Sequence, residues 1–193
     1  GEKVKPKGYL LMALGNAMIS DQIIKYLRPF AQAGYDVYIY DYRGYGNSEG
    51  NRRINAFIED YKELAVFLNA SYDRSVFYGI SLGGVIILNV IGSGIDFDAA
   101  VIDSSPSRLS NYGCPETIDS VKNLPSDSSK LMVITGAKDK VLNESMTKGL
   151  REEAKLKGAR TLIGEQFAHP FMDSREIRKA RLKIIMQFLF DRG

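Results

Sequence analysis

The sequence predicts an α/β fold with a mainly parallel sheet of about six strands and helices on both faces. Short runs rich in β-branched and aromatic residues alternate with amphipathic helical patterns along the whole chain. Several of these runs are almost continuously apolar, as strands are when both faces of a parallel sheet are covered. No internal repeat, low-complexity stretch or linker interrupts the alternation. We therefore expect residues 1–193 to form a single domain.

The elements can be placed from the apolar runs and from the residues that begin and end helices. The predicted strands are Tyr9–Ala13, Asp36–Tyr40, Ser75–Tyr78, Ala99–Asp103, Leu131–Thr135 and Arg160–Ile163. The predicted helices are one from Ser20 or Asp21 to Gly34, one with an apolar face over Phe57–Leu68, and three over Leu82–Val90, Asn143–Lys157 and Arg175–Phe190. In the first helix, Ile23, Ile24, Leu27, Phe30 and Ala31 are predicted to face inward. Pro29 is expected to kink this helix, and Gly158 to close the fourth.

Composition narrows the range of functions. The net charge of +3 is too small to indicate nucleic acid or an anionic membrane as the main partner. The one cysteine, Cys114, excludes an internal disulfide and a cysteine-based zinc cluster. Lys3, Lys5 and Lys7 precede an uncharged run that could be compared to a signal peptide, but the run is better explained as a strand and loop. We expect a cytoplasmic protein, with an upstream targeting or anchoring segment as the alternative.

The most informative stretch is VFYGISLGG, in which glycines surround Ser81 directly after an apolar run. No lysine follows as a phosphate-binding P-loop would require, and the spacing does not match the dinucleotide fingerprint Gly-x-Gly-x-x-Gly. The spacing does match Gly-x-Ser-x-Gly, the nucleophile elbow, in which the serine occupies a strained strand-to-helix turn. The predicted strand before Ser81 and helix after it favour the elbow over a merely structural turn.

A serine hydroxyl needs a base to remove its proton, and His169 is the only histidine in the chain. It follows the last predicted strand, at the edge where parallel sheets place their functional residues. Asp139 follows the preceding strand and would orient the imidazole, which gives the chain order Ser81, Asp139, His169. Asp103, at the end of the strand after the elbow, is the alternative acid. Asp173 is predicted to cap the last helix.

Two backbone N–H groups are predicted to form the oxyanion hole. One belongs to Leu82, directly after the serine, and the other to Ala17, in the loop after the first strand. Gly15 permits the turn in that loop. Asn16 and Tyr45 are expected to border the substrate. The predicted reaction needs no metal and no cofactor.

Together these segments resemble the α/β-hydrolase superfamily, and most of all its compact branch of serine aminopeptidase-like or α/β-hydrolase domain-containing proteins. The matching segments are LGNA at 14–17, DYRGYGNSEG at 41–50, GISLGG at 79–84, GAKD at 136–139 and the loop at His169. The resemblance implies a three-layer α/β-hydrolase fold. Two features depart from it: Leu14 stands where relatives commonly carry a histidine that shapes the oxyanion loop, and the two antiparallel strands that usually begin the sheet are absent or trimmed.

Many relatives insert a helical cap after the strand that ends here at Asp103. The segment between Ser105 and Lys130 is rich in Ser, Pro and Asn. It is long enough for a helix and loops but too short for a closed lid, so we expect little or no lid. An open cleft of this kind suits a bulky acyl donor, such as an acylated protein, or a small activated ester.

The last helix is predicted to cover the core with one face and to expose a basic one. The basic residues are Arg175, Arg178, Lys179, Arg181 and Lys183, and the core stripe is Ile177, Ile184, Ile185 and Phe188. A basic amphipathic helix can also lie on a membrane, but nothing else in the sequence indicates such contact.

The sequence therefore predicts a serine hydrolase that cleaves a carboxylic ester or thioester through an acyl-enzyme. A peptidase or amidase of the same fold is an alternative, and so is a retired hydrolase fold that binds a ligand without turnover. Ester or thioester cleavage is preferred because no acidic pocket for a free amino terminus is visible in the sequence.

Overall fold

A computed structural model describes residues 5–191 of the chain as a sheet of six parallel strands in the order β2-β1-β3-β4-β5-β6. The strands are β1 Gly8–Ala13, β2 Tyr35–Ile39, β3 Ser75–Ile80, β4 Ala99–Asp103, β5 Leu131–Gly136 and β6 Arg160–Gly164. The helices are α1 Ser20–Ile23, α2 Arg28–Gln32, α3 Ile54–Asn69, α4 Leu82–Gly92, α5 Glu144–Leu156 and α6 Arg175–Phe190. The predicted fold class is confirmed. Lys3, part of the basic start of the chain, lies outside the described residues.

The central strands are buried on both faces, which explains their continuous apolar runs. Every residue of β1, β3 and β4 is buried, whereas the edge strands β2 and β6 are partly exposed. Each fully buried large apolar side chain contributes roughly 1.5–3 kcal/mol to folding, so these strands carry much of the stability. Within residues 5–191 no strand pairs antiparallel.

Helices cover both faces of the sheet, as the alternation along β3 shows. Tyr78 points to the face that holds α2 and α6, with its ring centroid 6.2 Å from that of Phe30. The next residue, Gly79, points to the face that holds α4, because a Cβ added there would lie 2.6 Å from the carbonyl oxygen of Gly83. The sheet is therefore the middle of three layers.

The first predicted helix is broken. In place of one helix from Ser20 or Asp21 to Gly34, the chain forms α1, a 3₁₀ turn over Ile24–Tyr26, and α2. Pro29 lies in the first turn of α2, where its missing N–H costs no helical hydrogen bond. Ile24 is 61% exposed and Ala31 is exposed, so the prediction that they face inward was wrong.

The segment after β4 contains no α-helix between residues 104 and 130. It forms three 3₁₀ turns, at Ser110–Tyr112, Glu116–Ile118 and Ser120–Asn123. The buried Asp119 carboxylate accepts hydrogen bonds from the Ser110 N–H and hydroxyl at 2.8 and 2.7 Å, and Asn89 on α4 donates to the Ile118 carbonyl oxygen at 3.0 Å. The segment is thus held against α4 and forms no helical cap.

Helix α6 has the predicted bounds but not the predicted cap. The Ser174 hydroxyl accepts the Ile177 N–H at 3.3 Å, so Ser174 and not Asp173 is the N-cap. Ile185 and Phe188 are buried as predicted, while Ile177 and Ile184 are partly buried. No helix in residues 5–191 has both the length and the apolar character needed to cross a membrane.

Candidate active site

Ser81 occupies the turn between β3 and α4 in a strained conformation, with φ 52° and ψ −116°. Such a conformation costs a residue with a side chain about 1–3 kcal/mol and persists only where the surroundings impose it. Here the Ser81 N–H donates to the Asp103 carbonyl oxygen at 2.9 Å, and the Ser81 carbonyl oxygen accepts the Gly84 N–H at 3.0 Å. The backbone on both sides of the serine is therefore held by neighbouring elements.

The glycines near Ser81 allow a close approach between the start of α4 and the end of β1. A Cβ added to Gly83 would lie 2.0 Å from the carbonyl oxygen of Ala13, and one added to Gly15 would lie 3.5 Å from the Cβ of Ser81. Any side chain at Gly83 would push α4 away from β1. The loop after β1 thus packs directly against the serine.

His169 and Asp139 are brought together by the two strands that precede them. Nδ1 of His169 lies 2.8 Å from Oδ2 of Asp139, and both side chains are buried. The second carboxylate oxygen of Asp139 accepts the N–H groups of Val141 and Leu142 at 2.8 and 2.9 Å. Burial alone would raise the pKa of Asp139, but the hydrogen bonds from His169, Leu142 and Val141 outweigh it and lower the pKa. The ionised carboxylate binds Nδ1 and leaves Nε2 to another partner.

Backbone hydrogen bonds join the two loops that carry these side chains. Because β5 and β6 are neighbours, Gly136 and Gly164 pair at the ends of the strands. Beyond them, the Ala137 N–H donates to the Gly164 carbonyl oxygen at 3.0 Å and the Lys138 N–H donates to the Phe167 carbonyl oxygen at 2.9 Å. The distance between the Asp139 and His169 backbones is thus set by the sheet.

Asp103, the alternative acid, is bonded elsewhere. Its two carboxylate oxygens accept Nη2 of Arg181 at 2.8 Å and the Tyr78 hydroxyl at 3.1 Å. The prediction that Asp173 caps the last helix was wrong, because its carboxylate accepts Nη1 of Arg181 and the Ala168 N–H, each at 2.7 Å. The structure therefore pairs His169 with Asp139.

The prediction that Arg181 belongs to a solvated basic face was also wrong, since only 3% of this residue is exposed. Burial lowers the pKa of Arg181, but the charges of Asp103 and Asp173 outweigh this and raise it, so the guanidinium is charged. Nη1 also donates to the carbonyl oxygen of Ala168 at 2.9 Å, beside His169. A signal was available in the sequence, because Arg181 lies four residues from both Ile177 and Ile185, within the apolar stripe.

The loop after β1 turns tightly beside Ser81. The Met18 N–H donates to the Gly15 carbonyl oxygen at 3.3 Å, and Ala17 has a positive φ of 61°. Leu14, which stands where relatives carry a histidine, is fully buried, and its carbonyl oxygen accepts the Tyr42 hydroxyl at 2.6 Å. The predicted oxyanion donors, Ala17 and Leu82, thus lie on the two segments that meet at the serine.

Two clefts open on Ser81. The first, which we name the His169 cleft, has a volume of about 510 Å³. It is lined by Gly15, Asn16, Met18, Gln22, Ile23, Tyr26, Ser81, Val141, His169, Pro170, Phe171, Met172 and Arg178. The second, the Leu82 cleft, has a volume of about 470 Å³. It is lined by Asn16, Tyr45, Arg52, Ile54, Phe57, Ser81, Leu82, Pro106, Leu109, Tyr112, Cys114, Val141, Leu142 and Met146.

The two residues predicted to border the substrate lie at these clefts. Asn16 lines both of them, Tyr45 lines the Leu82 cleft, and the Tyr45 hydroxyl donates to Oδ1 of Asn16 at 2.6 Å. Among the described residues that line the clefts there is no aspartate or glutamate. Across residues 5–191, no group of three or more His, Cys, Asp and Glu side chains is arranged to hold a metal ion.

Comparison with protein families identifies the class of this enzyme. Residues 4–126 match the family described as Serine aminopeptidase, S33, which is well over half of the chain. The chain therefore belongs to this family, within the α/β-hydrolase superfamily, and is an α/β-hydrolase enzyme. The match includes Ser81 but ends before Asp139 and His169. In a search of curated proteins, no sequence matched the chain.

Solved structures agree on the fold. A monoacylglycerol lipase from Paleococcus ferrophilus superposes with a TM-score of 0.76 at 15% identity, over 98% of this chain and 96% of that one. An α/β hydrolase from a Medee basin deep-sea metagenome library gives a TM-score of 0.79 at 15% identity, over 97% and 91%. Esterase 2 of Thermogutta terrifontis, phosphoramylated by tabun, gives 0.77 at 15% identity, over 98% and 84%. At these identities the likeness shows the fold alone.

Proposed function

We propose that this protein is a serine esterase that cleaves carboxylic esters or thioesters through an acyl-enzyme. The observation that carries the proposal is the 2.8 Å contact between His169 Nδ1 and Asp139 Oδ2, with His169 lining the same cleft as the strained Ser81. A strained serine, an oriented imidazole and a buried carboxylate are the parts that nucleophilic acyl transfer requires.

Each part has a role in this mechanism. His169 Nε2 removes the proton of the Ser81 hydroxyl as the serine oxygen attacks the carbonyl carbon, and Asp139 stabilises the imidazolium. The N–H groups of Ala17 and Leu82 receive the negative charge that develops on the carbonyl oxygen. His169 then gives its proton to the departing oxygen or sulfur. A water molecule, activated by the same imidazole, breaks the acyl-enzyme bond and frees the acid and Ser81.

Esters and thioesters are favoured over peptides by the charge of the clefts. An aminopeptidase must bind a protonated amino terminus, for which a carboxylate is the natural partner. Among the described residues, neither cleft is lined by an aspartate or glutamate. The Leu82 cleft instead offers apolar side chains, such as Leu109, Leu142 and Met146, to an acyl group. The segment after β4 leaves the clefts without a helical cap, which suits a small ester or a bulky acylated protein.

A fluorophosphonate probe tests the proposal directly. The wild-type protein should be labelled and Ser81→Ala should not. Ser105→Ala is the matched control, because the Ser105 hydroxyl is buried without a hydrogen-bond partner and its loss should not affect labelling. Failure to label folded wild-type protein would indicate instead a retired hydrolase fold that binds without turnover.

The family description favours peptidase activity as the second candidate. Comparing kcat/KM for p-nitrophenyl acetate and leucine p-nitroanilide distinguishes the two. We expect activity on the ester to dominate after correction for the intrinsic reactivity of the two substrates, and dominance of the anilide would reverse the assignment. The cytoplasmic location and contact with an acylated protein or a membrane stay predictions from the sequence.

A further inference from the structure

The two clefts at Ser81 have different roles in the proposed reaction. The histidine must protonate the group that departs, so the leaving group has to lie on its side of the serine. His169 lines one cleft, whereas the other is lined by the predicted oxyanion donor Leu82 and not by His169. The His169 cleft therefore takes the leaving group, and the Leu82 cleft takes the acyl group. This assignment rests on the proposed function.

The His169 cleft contains a cation whose hydrogen-bonding capacity is only partly used. Nη2 of Arg178 donates to the backbone carbonyl oxygen of Asp173 at 3.2 Å, and Nε of Arg178 is buried with no hydrogen-bond partner. The Asp173 carboxylate is already bonded to Arg181 and to the Ala168 N–H. Within residues 5–191, Arg178 has no carboxylate at ion-pair distance.

Aromatic contacts hold the Arg178 guanidinium in place. It lies 5.1 Å from the centre of the Tyr26 ring, and Tyr26 packs against Phe171 with a centroid distance of 5.4 Å. Nζ of Lys25 also lies 5.1 Å from the centre of the Tyr26 ring. Tyr26, Phe171 and Arg178 line the same cleft, so the positive charge belongs to a packed wall and not to a free surface side chain.

We propose that Arg178 forms a subsite for an anionic leaving group, so that the preferred substrate is an ester or thioester whose alcohol or thiol part carries a carboxylate or phosphate. A planar guanidinium binds these anions through charge-assisted hydrogen bonds. Because Nε is buried, the donors for the anion are the N–H groups of Nη1 and Nη2 that do not bond the Asp173 carbonyl oxygen. The absence of acidic residues from the described cleft lining leaves no competing carboxylate, and Lys25 adds positive charge nearby. The acyl group lies in the other cleft and makes no contact with Arg178.

A matched pair of esters tests the proposal. The first ester is 3-acetoxybenzoate, whose leaving group is a phenol that carries a carboxylate. The second is methyl 3-acetoxybenzoate, in which the carboxylate is masked as a methyl ester, so that loss of the acetyl group releases a neutral phenol. Both esters transfer the same acetyl group to Ser81, so an effect on acetyl transfer alone changes both kcat/KM values equally and cancels in their ratio. Arg178→Gln should lower the ratio of anionic to neutral hydrolysis by about 10-fold or more, and Arg178→Lys should lower it less. Lys179→Gln, an exposed charge on the same helix, is the control and should leave the ratio unchanged.

Arg178 also bonds the Asp173 backbone, so a purely structural role has to be distinguished. That role would lower hydrolysis of both esters equally and leave the ratio at its wild-type value, which would overturn the proposal. The proposed function is tested separately from this ratio. It requires that the wild-type protein hydrolyses the neutral ester and that Ser81→Ala does not.

A binding measurement needs no turnover. Calorimetric titration of Ser81→Ala with 3-hydroxybenzoate and with phenyl phosphate should show binding of at least one anion, weakened about 10-fold by adding Arg178→Gln. The tighter ligand identifies carboxylate or phosphate as the preferred group. Equal binding in the single and double variants, or binding of neither anion, would overturn the proposal.

Discussion

Nη2 of Arg181 on α6 donates to Oδ1 of Asp103 at the end of β4 across 2.8 Å, and both side chains are buried. The carbonyl oxygen of Asp103 accepts the Ser81 N–H, and Nη1 of Arg181 donates to the carbonyl oxygen of Ala168. One buried ion pair therefore connects the backbone at the serine to the backbone beside His169.

Replacing Arg181 should destabilise the protein strongly. Arg181→Met keeps much of the side-chain volume but leaves the buried carboxylates of Asp103 and Asp173 without their cation. Removing one partner of a buried ion pair costs about 3–5 kcal/mol, which urea unfolding would measure. Lys179→Met changes an exposed charge on the same helix and should stay within about 0.5 kcal/mol of wild type. A loss of similar size in both variants would show that the Arg181 network contributes little.

Replacing each of the two candidate acids by asparagine should have different effects on kcat. Asp139→Asn removes the charge that orients His169 and should lower kcat by about 10⁴-fold. Asp103→Asn weakens the network with Arg181 and should lower stability, while kcat per folded molecule falls far less. Ester hydrolysis, normalised to the folded fraction from circular dichroism, makes the comparison. An equal or larger loss of kcat in Asp103→Asn would reverse the assignment of the acid.

The lowered pKa of Asp139 predicts how its contribution to stability depends on pH. Folding lowers this pKa below its ordinary value of 3.8, so the unfolded chain binds the proton more readily than the folded protein. The contribution is therefore fully present above that value and is lost as the pH falls through the folded pKa. We expect the difference in unfolding free energy between wild type and Asp139→Asn to shrink as the pH falls from about 5 to 3. Urea titrations across this range would measure it, and a difference that stays constant or grows would contradict the prediction.

Cys114 provides a test of whether the Leu82 cleft holds the acyl group. It is the only cysteine in the chain, is partly buried and lines the Leu82 cleft. Modification with N-phenylmaleimide adds bulk there, so hydrolysis of an octanoate ester should fall about 10-fold more than that of the acetate ester, because a narrowed pocket discriminates by size. Cys114→Ala, treated with the same reagent, should keep its original preference. An equal effect on both esters would place the acyl chain elsewhere.

Local patterns were sufficient to predict the sheet and the elbow. The six predicted strands lie within about two residues of the observed strands. The prediction was simplest for β1, β3 and β4, because strands buried on both faces require continuous apolar sequence. The turn at Ser81 could also be predicted from the sequence, since the glycines around it mark places where backbones approach closely. The first helix was predicted less well, because a new helix begins at Arg28, with Pro29 in its first turn, where only a kink was expected.

The sequence by itself determined the fold class, the strand positions and the residue types available to the site. Only the tertiary structure decided which groups meet. It placed Asp139 and not Asp103 against His169, and it buried Arg181 between carboxylates from β4 and from the loop before α6. The physical reason is that a charged residue is buried only where partners compensate its charge, and those partners come from distant parts of the chain. Asp103 and Arg181 are 78 residues apart, a separation that local patterns of hydrophobicity do not encode.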